Sequence, residues 1–121
     1  MRSAIRLVAV IIATAAGVIT AEGHAFLNGA VPPVGGVIST PPQQIRLTFS
    51  EGIEPAFSGI QLSTATGQPI TTGPAAIDLR DKTQLVLPVP ALGRGRYKVT
   101  WHVVSVDTHR TDGNYMFEIR P

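Results

Sequence analysis

Alternation of apolar and polar residues is the main pattern in the last two thirds of the chain. The alternating runs cover residues 45–50, 60–63, 85–87, 97–104 and 115–120. Successive side chains on a β-strand point to opposite faces, so this period of two is typical of strands that bury one face. No sustained helical period accompanies it in this part of the chain. We therefore expect short strands around a single core.

Glycine and proline separate these runs and indicate the turns. Glycine accepts positive φ and proline fixes φ near −65°, so both bend the chain. The predicted breaks contain Pro32-Pro33, Gly35-Gly36, Pro41-Pro42, Thr66–Pro69, Thr72–Pro74, Gly93–Gly95 and Asp112–Asn114. The spacing predicts an all-β, immunoglobulin-like, two-sheet Greek-key β-sandwich of about seven strands. Residues 30–42 are expected to be an irregular connection.

The N-terminus has the three regions of a secretory signal peptide. Two arginines precede an apolar stretch, Leu7–Ile19, and the small residues Ala21 and Gly23 lie at the positions that a signal peptidase recognises. The apolar stretch is short for a membrane span, although a permanent N-terminal anchor is the alternative. We predict a signal peptide at residues 1–23 and a mature domain at residues 24–121. The mature protein would then be periplasmic, with no stable membrane anchor.

Composition narrows the possible chemistry. The chain has no cysteine, which excludes disulfides, thiolate metal sites and cysteine nucleophiles. Its formal net charge is +2, and two of the arginines that contribute to it lie in the predicted signal peptide, so the mature domain is close to neutral. No basic patch interleaved with aromatic residues indicates nucleic-acid binding.

Two of the three histidines stand where they could bind a metal. Cleavage after Gly23 would make His24 the first residue, and its α-amine and imidazole could then chelate one ion; otherwise His24 is an ordinary terminal residue. Asp107 and His109 are separated by one residue. If that segment is extended, their side chains share a face and could bind the same ion. The alternative is a polar turn in which Asp107 bonds its own backbone.

These donors would favour Cu(II). Two imidazoles, an amine and a carboxylate suit tetragonal Cu(II), whereas Zn(II), the chief competitor, would take the same donors in tetrahedral geometry. His102 lies on the polar side of its strand with Lys98 and Thr100, so we interpret it as a surface histidine. Trp101 is interpreted as a core residue.

Four segments resemble the copper-resistance protein C (CopC) family. They are His24–Leu27, the segment IRLTFSEGIEPAFS from Ile45 to Ser58, the segment GRYKVTWHVVSVDTH from Gly95 to His109, and Gly113–Ile119. The second and third segments are long and specific, and the resemblance covers nearly the whole mature chain. It implies a periplasmic copper carrier with an immunoglobulin-like β-sandwich.

The resemblance also implies roles for individual residues. His24, with its amine, together with Asp107 and His109, corresponds to the metal ligands of the family. Glu51 corresponds to a glutamate that could accept a hydrogen bond from a ligating imidazole. The chain departs from the family in two respects. It lacks the methionine-rich loop with which some members bind Cu(I), and it has Thr108 where glycine is frequent. Because threonine favours extended backbone, we expect the ligand geometry to survive.

Three functions follow from these observations. The first is a non-enzymatic protein that sequesters Cu(II) or delivers it for uptake, in copper homeostasis and resistance. The resemblance implies an inner-membrane transporter of the CopD type as its partner. The second is a copper monooxygenase-like enzyme, since such enzymes also use an N-terminal histidine chelate. The third is a metal-free β-sandwich interaction module.

Overall fold

The computed structural model describes residues 25–121, which form two packed β-sheets. The predicted signal peptide and the predicted ligand His24 lie outside the described residues. The strands are β1 (Leu27–Val31), β2 (Val37–Ile38), β3 (Gln44–Phe49), β4 (Gly59–Thr64), β5 (Pro69–Ile70), β6 (Ala76–Asp78), β7 (Asp81–Pro88), β8 (Gly95–Val104) and β9 (Arg110–Ile119).

One sheet has four strands in the order β1-β3-β7-β6, and the other has five in the order β2-β9-β8-β4-β5. The pairing of β2 with β9 is parallel, whereas the other named pairs are antiparallel. The predicted all-β, two-sheet sandwich is therefore confirmed. Within residues 25–121, no helix is both long enough and apolar enough to cross a membrane.

The core forms between the apolar faces of the two sheets. Ile45, Leu47 and Phe49 of β3 are almost fully buried, and the polar residues between them face outward. The ring of Phe49 meets that of Trp101 on the opposite sheet edge to face, with 5.2 Å between centroids. Such aromatic pairs add specific packing to the burial of apolar surface. The prediction that Trp101 belongs to the core is correct.

The described chain contains nine strands rather than about seven. The additional strands are short: β2 and β5 have two residues each and β6 has three. Strands of this length are too short to show a periodic pattern. The expectation of an irregular connection at residues 30–42 is only partly correct, because the end of β1 and the whole of β2 lie within it.

The predicted turn at Asp112–Asn114 is wrong, because these residues lie within β9. Gly113 pairs with Trp101 on β8, and a Cβ atom at Gly113 would lie only 2.6 Å from Cζ2 of the indole. The glycine is therefore required by the close approach of a large ring. A sequence pattern cannot distinguish this use of glycine from a turn.

One end of the sandwich collects the residues of interest. We call it the hairpin end; it comprises the start of β1, the segment after β3 (residues 50–54) and the turn between β8 and β9 (residues 105–109). The antiparallel pairing of β1 with β3 brings the first two segments together, and the bridge between Ile53 and Ser105 joins the second to the turn between β8 and β9.

Candidate metal centre

Asp107 and His109 lie in the turn that connects β8 to β9. The backbone N–H of Ser105 donates to the carbonyl of His109 at 2.9 Å, and the N–H of Thr108 donates to the carbonyl of Ser105 at 2.8 Å. Thr108 has a φ of 74°, in the left-handed region. The expected extended backbone is therefore wrong, since the chain reverses direction here. The turn places Thr108 in a left-handed conformation that glycine would adopt more readily.

The turn nevertheless brings the two predicted ligands together. Nδ1 of His109 lies 3.4 Å from Oδ1 of Asp107, and the two side chains are 50% and 40% exposed. The hydroxyl of Ser105 donates to the same carboxylate oxygen. This hydrogen bond, supported by the His109 imidazole, holds the pKa of Asp107 below its ordinary value. An ionised carboxylate beside an accessible imidazole is suited to binding a cation.

The segment after β3 packs against this turn. The N–H of Val106 donates to the carbonyl of Gly52 at 3.0 Å, and Ile53 forms an isolated β-bridge with Ser105. Glu51 precedes these contacts directly in the chain and therefore belongs to the hairpin end. Its predicted hydrogen bond to a ligating imidazole stays a prediction.

The first described residues are attached to the same end. Ala25 is fully buried in the core, and its carbonyl accepts a hydrogen bond of 2.9 Å from the hydroxyl of Thr111. Phe26 exchanges two hydrogen bonds with Ser50: its N–H donates to the Ser50 hydroxyl, and its carbonyl accepts from the Ser50 N–H, both at 2.8 Å. Ala25, the first described residue, is thus held beside Thr111 of β9, which follows His109 by two residues.

Among residues 25–121, no three or more histidine, aspartate or glutamate side chains are grouped closely enough to hold a metal ion. Asp107 and His109 contribute two donors, and the other predicted ligand, His24, precedes the described part of the chain. The donor types fit copper, because imidazole and carboxylate both bind Cu(II).

His102 is separate from this site. It lies on the outward face of β8, opposite Asp112 of β9, and is partly buried. Its ring covers Gly59 of β4, since a Cβ atom there would lie 2.9 Å from Cε1 of the imidazole. The ring thus packs on a neighbouring strand, in agreement with its interpretation as a surface histidine.

Two residues with contacts at the candidate site had no predicted role. Ser105 continues the inward-facing row of β8 as a fully buried polar residue, directly after Val103. A serine at the next apolar position of an alternating run is a signal that sequence inspection can detect. Thr111 gave no such signal, because its role depends on contact with Ala25, 86 residues earlier.

Comparisons with known proteins agree with this architecture. The CopC domain model matches residues 27–120. Protein YobA of Escherichia coli K12 is 41% identical over 98 residues, which cover 80% of this chain and 79% of that protein. Copper resistance protein C of Escherichia coli is 33% identical over 109 residues, with coverage of 84% and 85%. The crystal structure of CopC from Methylosinus trichosporium OB3b has a TM-score of 0.76 at 34% identity, covering 81% of this chain and 95% of that one.

The match extends over all nine described strands and includes the turn that carries Asp107 and His109. CopC proteins bind copper and are not enzymes. The expectation of a non-enzymatic protein is thereby confirmed, and the monooxygenase-like alternative is set aside. On these grounds the chain belongs to the CopC family of copper resistance proteins.

Proposed function

We propose that the mature protein begins at His24 and binds one Cu(II) ion at the hairpin end, in the periplasm. The ligands would be the α-amine and imidazole of His24, the carboxylate of Asp107 and the imidazole of His109. The protein would sequester copper or deliver it for uptake, and a CopD-type inner-membrane transporter would be the receiving partner.

The attachment of Ala25 beside the Asp107–His109 turn is the observation that carries this proposal. Ala25 is bonded to Thr111, and covalent geometry keeps the Cα atom of residue 24 about 3.8 Å from that of Ala25. An N-terminal amine and imidazole at residue 24 would therefore start close to His109. This support is independent of the resemblance, since it follows from contacts within the chain.

The donor chemistry supports Cu(II) over other ions. Nitrogen donors with one carboxylate oxygen suit tetragonal Cu(II), and the Irving–Williams order places Cu(II) above Zn(II) at a shared site. Cu(I) prefers sulfur ligands, but the chain has no cysteine and Met116 is the one methionine of the predicted mature domain. The half-exposed side chains of Asp107 and His109 would allow copper to be released to a partner.

The decisive experiment changes the N-terminus by one residue. Residues 24–121 would be compared with a form carrying one extra glycine before His24, by competitive Cu(II) titration. We expect one-to-one binding by the first form and more than about 100-fold weaker binding by the second. The extra residue removes the amine chelate, and direct ligands should matter more than the 10–100-fold typical of their hydrogen-bond partners.

The matched control carries one extra glycine after Pro121 and should bind as tightly as the unextended form. Equal affinity of the two N-terminal forms would contradict amine ligation. Mass spectrometry of the exported protein tests the processing step separately, and an N-terminus other than His24 would contradict it. Titration with Zn(II) in competition should leave Cu(II) bound.

A further inference from the structure

Ser105 is a polar residue in an otherwise apolar row. The inward positions of β8 are Tyr97, Val99, Trp101 and Val103, and Ser105 follows them with no exposed surface. A buried hydroxyl is costly unless it forms hydrogen bonds, so its partners indicate why it is tolerated.

The two predicted ligands, Asp107 and His109, are among the partners of the Ser105 hydroxyl. The hydroxyl donates to Oδ1 of Asp107. The same oxygen lies 3.3 Å from both the backbone N–H and the carbonyl of His109, accepting from the former. One side chain therefore contacts the carboxylate of one ligand and the backbone of the other.

Backbone hydrogen bonds also close this turn without the hydroxyl. The backbone bonds from Ser105 N–H to the His109 carbonyl, at 2.9 Å, and from Thr108 N–H to the Ser105 carbonyl, at 2.8 Å, already close it. Either bond would persist with alanine at position 105. The contact with the Asp107 carboxylate is therefore an addition to the turn, and it is directed at a group with metal-binding chemistry.

We propose that the Ser105 hydroxyl is a positioning group, which fixes Asp107 and His109 in their binding arrangement before copper arrives. This inference rests on the proposed Cu(II) site. Oδ1 of Asp107 accepts from Ser105, and the carboxylate keeps further lone pairs for a metal, because each of its oxygens has two. A ligand fixed in advance loses less conformational freedom on binding, and hydrogen-bond partners of ligands typically change metal affinity 10–100-fold.

The test compares Ser105→Ala with Ser58→Ala. Ser58 is a matched control at the same end of the sandwich: its hydroxyl donates to the Glu54 carbonyl at 2.8 Å and accepts from the Val104 N–H at 3.0 Å. Neither of these partners belongs to Asp107 or His109. Each variant loses hydrogen bonds to the backbone, so both should unfold at lower urea concentration. Only Ser105→Ala should weaken Cu(II) binding, by about 10-fold or more.

A double-mutant cycle shows whether Ser105 acts through Asp107. In the Asp107→Ala background, the additional loss of affinity from Ser105→Ala should largely disappear, since coupled residues are not additive. The electron paramagnetic resonance spectrum of bound Cu(II) should shift in Ser105→Ala and stay unchanged in Ser58→Ala. Ser105→Thr, which keeps a hydroxyl, should recover part of the affinity.

Equal Cu(II) affinities and spectra for Ser105→Ala and the unmodified protein would overturn the positioning role while leaving the proposed function intact. The positioning role would also be overturned if Ser105→Ala weakened Cu(II) binding as much in the Asp107→Ala background as in the unmodified protein. Failure of the unmodified protein to bind Cu(II) one-to-one would overturn both. If Ser105→Ala does not fold, the test is the NMR χ1 coupling constants of Asp107 in the unmodified, copper-free protein. They should report a single rotamer, and averaged couplings would contradict the proposal that the ligand is fixed before copper binds.

Discussion

At the residue scale, Gly113 shows how one missing side chain sets the packing of the core. The indole of Trp101 occupies the space above Gly113 and also forms the edge-to-face pair with Phe49. Any side chain at Gly113 would displace the ring and disturb that pair. The glycine thus allows the largest side chain of the core to lie against its own sheet.

We predict that Gly113→Ala lowers the free energy of unfolding by about 1–3 kcal/mol, the usual cost of overpacking a core. Gly29→Ala is the matched control, since this glycine also lies in a strand but its nearest atom, Cβ of Thr48, would be 3.9 Å from the new methyl group. Urea denaturation measures both. Equal effects of the two substitutions would contradict the role of Gly113 as space for Trp101.

At the element scale, the two residues that precede β1 are attached to β9 and to the segment after β3. The hydroxyl of Thr111 on β9 donates to the carbonyl of Ala25. The N–H of Phe26 donates to the hydroxyl of Ser50, and the carbonyl of Phe26 accepts from the N–H of Ser50. The start of the described chain is thus bonded to both sheets. An N-terminal metal ligand needs such attachment, because chain termini fray unless they are tied down.

We predict that Thr111→Val, which keeps the shape but removes the hydroxyl, accelerates hydrogen exchange at the Phe26 amide. It should also weaken Cu(II) binding by about 10-fold, in the range for residues that hold ligands in place. Thr100→Val on the exposed face of β8 is the control and should change neither quantity. Unchanged hydrogen exchange at Phe26 in Thr111→Val would show that the Thr111 hydroxyl does not hold Ala25 and Phe26 in place.

At the scale of the whole molecule, hydrogen-bonded carboxylates link stability to pH. Each of four carboxyl groups has a pKa below its ordinary value, chiefly because it accepts a hydrogen bond from a neighbouring group. They are Asp78, Asp81, Asp107 and Glu118. In the folded state these groups release their protons at lower pH than in the unfolded chain. The unfolded chain therefore binds more protons in acid, and stability rises with pH there.

We predict that stability from these groups is complete above their ordinary pKa values, 3.8 for aspartate and 4.5 for glutamate, and is lost as pH falls through the lower folded values. Urea midpoints between pH 2 and pH 6 measure this. The Asp78 carboxylate accepts hydrogen bonds from the Arg80 N–H at 2.8 Å and the Arg46 guanidinium at 2.7 Å. Asp78→Asn replaces it with a neutral group that does not titrate, so the urea midpoint should fall less steeply as pH is lowered. An unchanged slope would contradict the assignment for Asp78.

The sequence by itself determined the rows of residues that form the core. Ile45, Leu47 and Phe49 were identified from alternation alone, because a strand with one buried face imposes that pattern locally. Spacing also identified Asp107 and His109 as a pair, although the conformation expected between them was wrong. Alternation and residue spacing can be identified without knowing which strands are neighbours.

Only the tertiary structure decided how distant segments meet. The bond between Ala25 and Thr111, the approach of Trp101 to Gly113 and the bond from the Ser105 hydroxyl to the Asp107 carboxylate depend on strand register, sheet packing and the path of the turn. Residue type is ambiguous in these cases, since glycine also marks turns and serine or threonine also lies on surfaces. The physical reason is that alternation reports which face of a strand is buried, whereas a site depends on which other atoms cover that face.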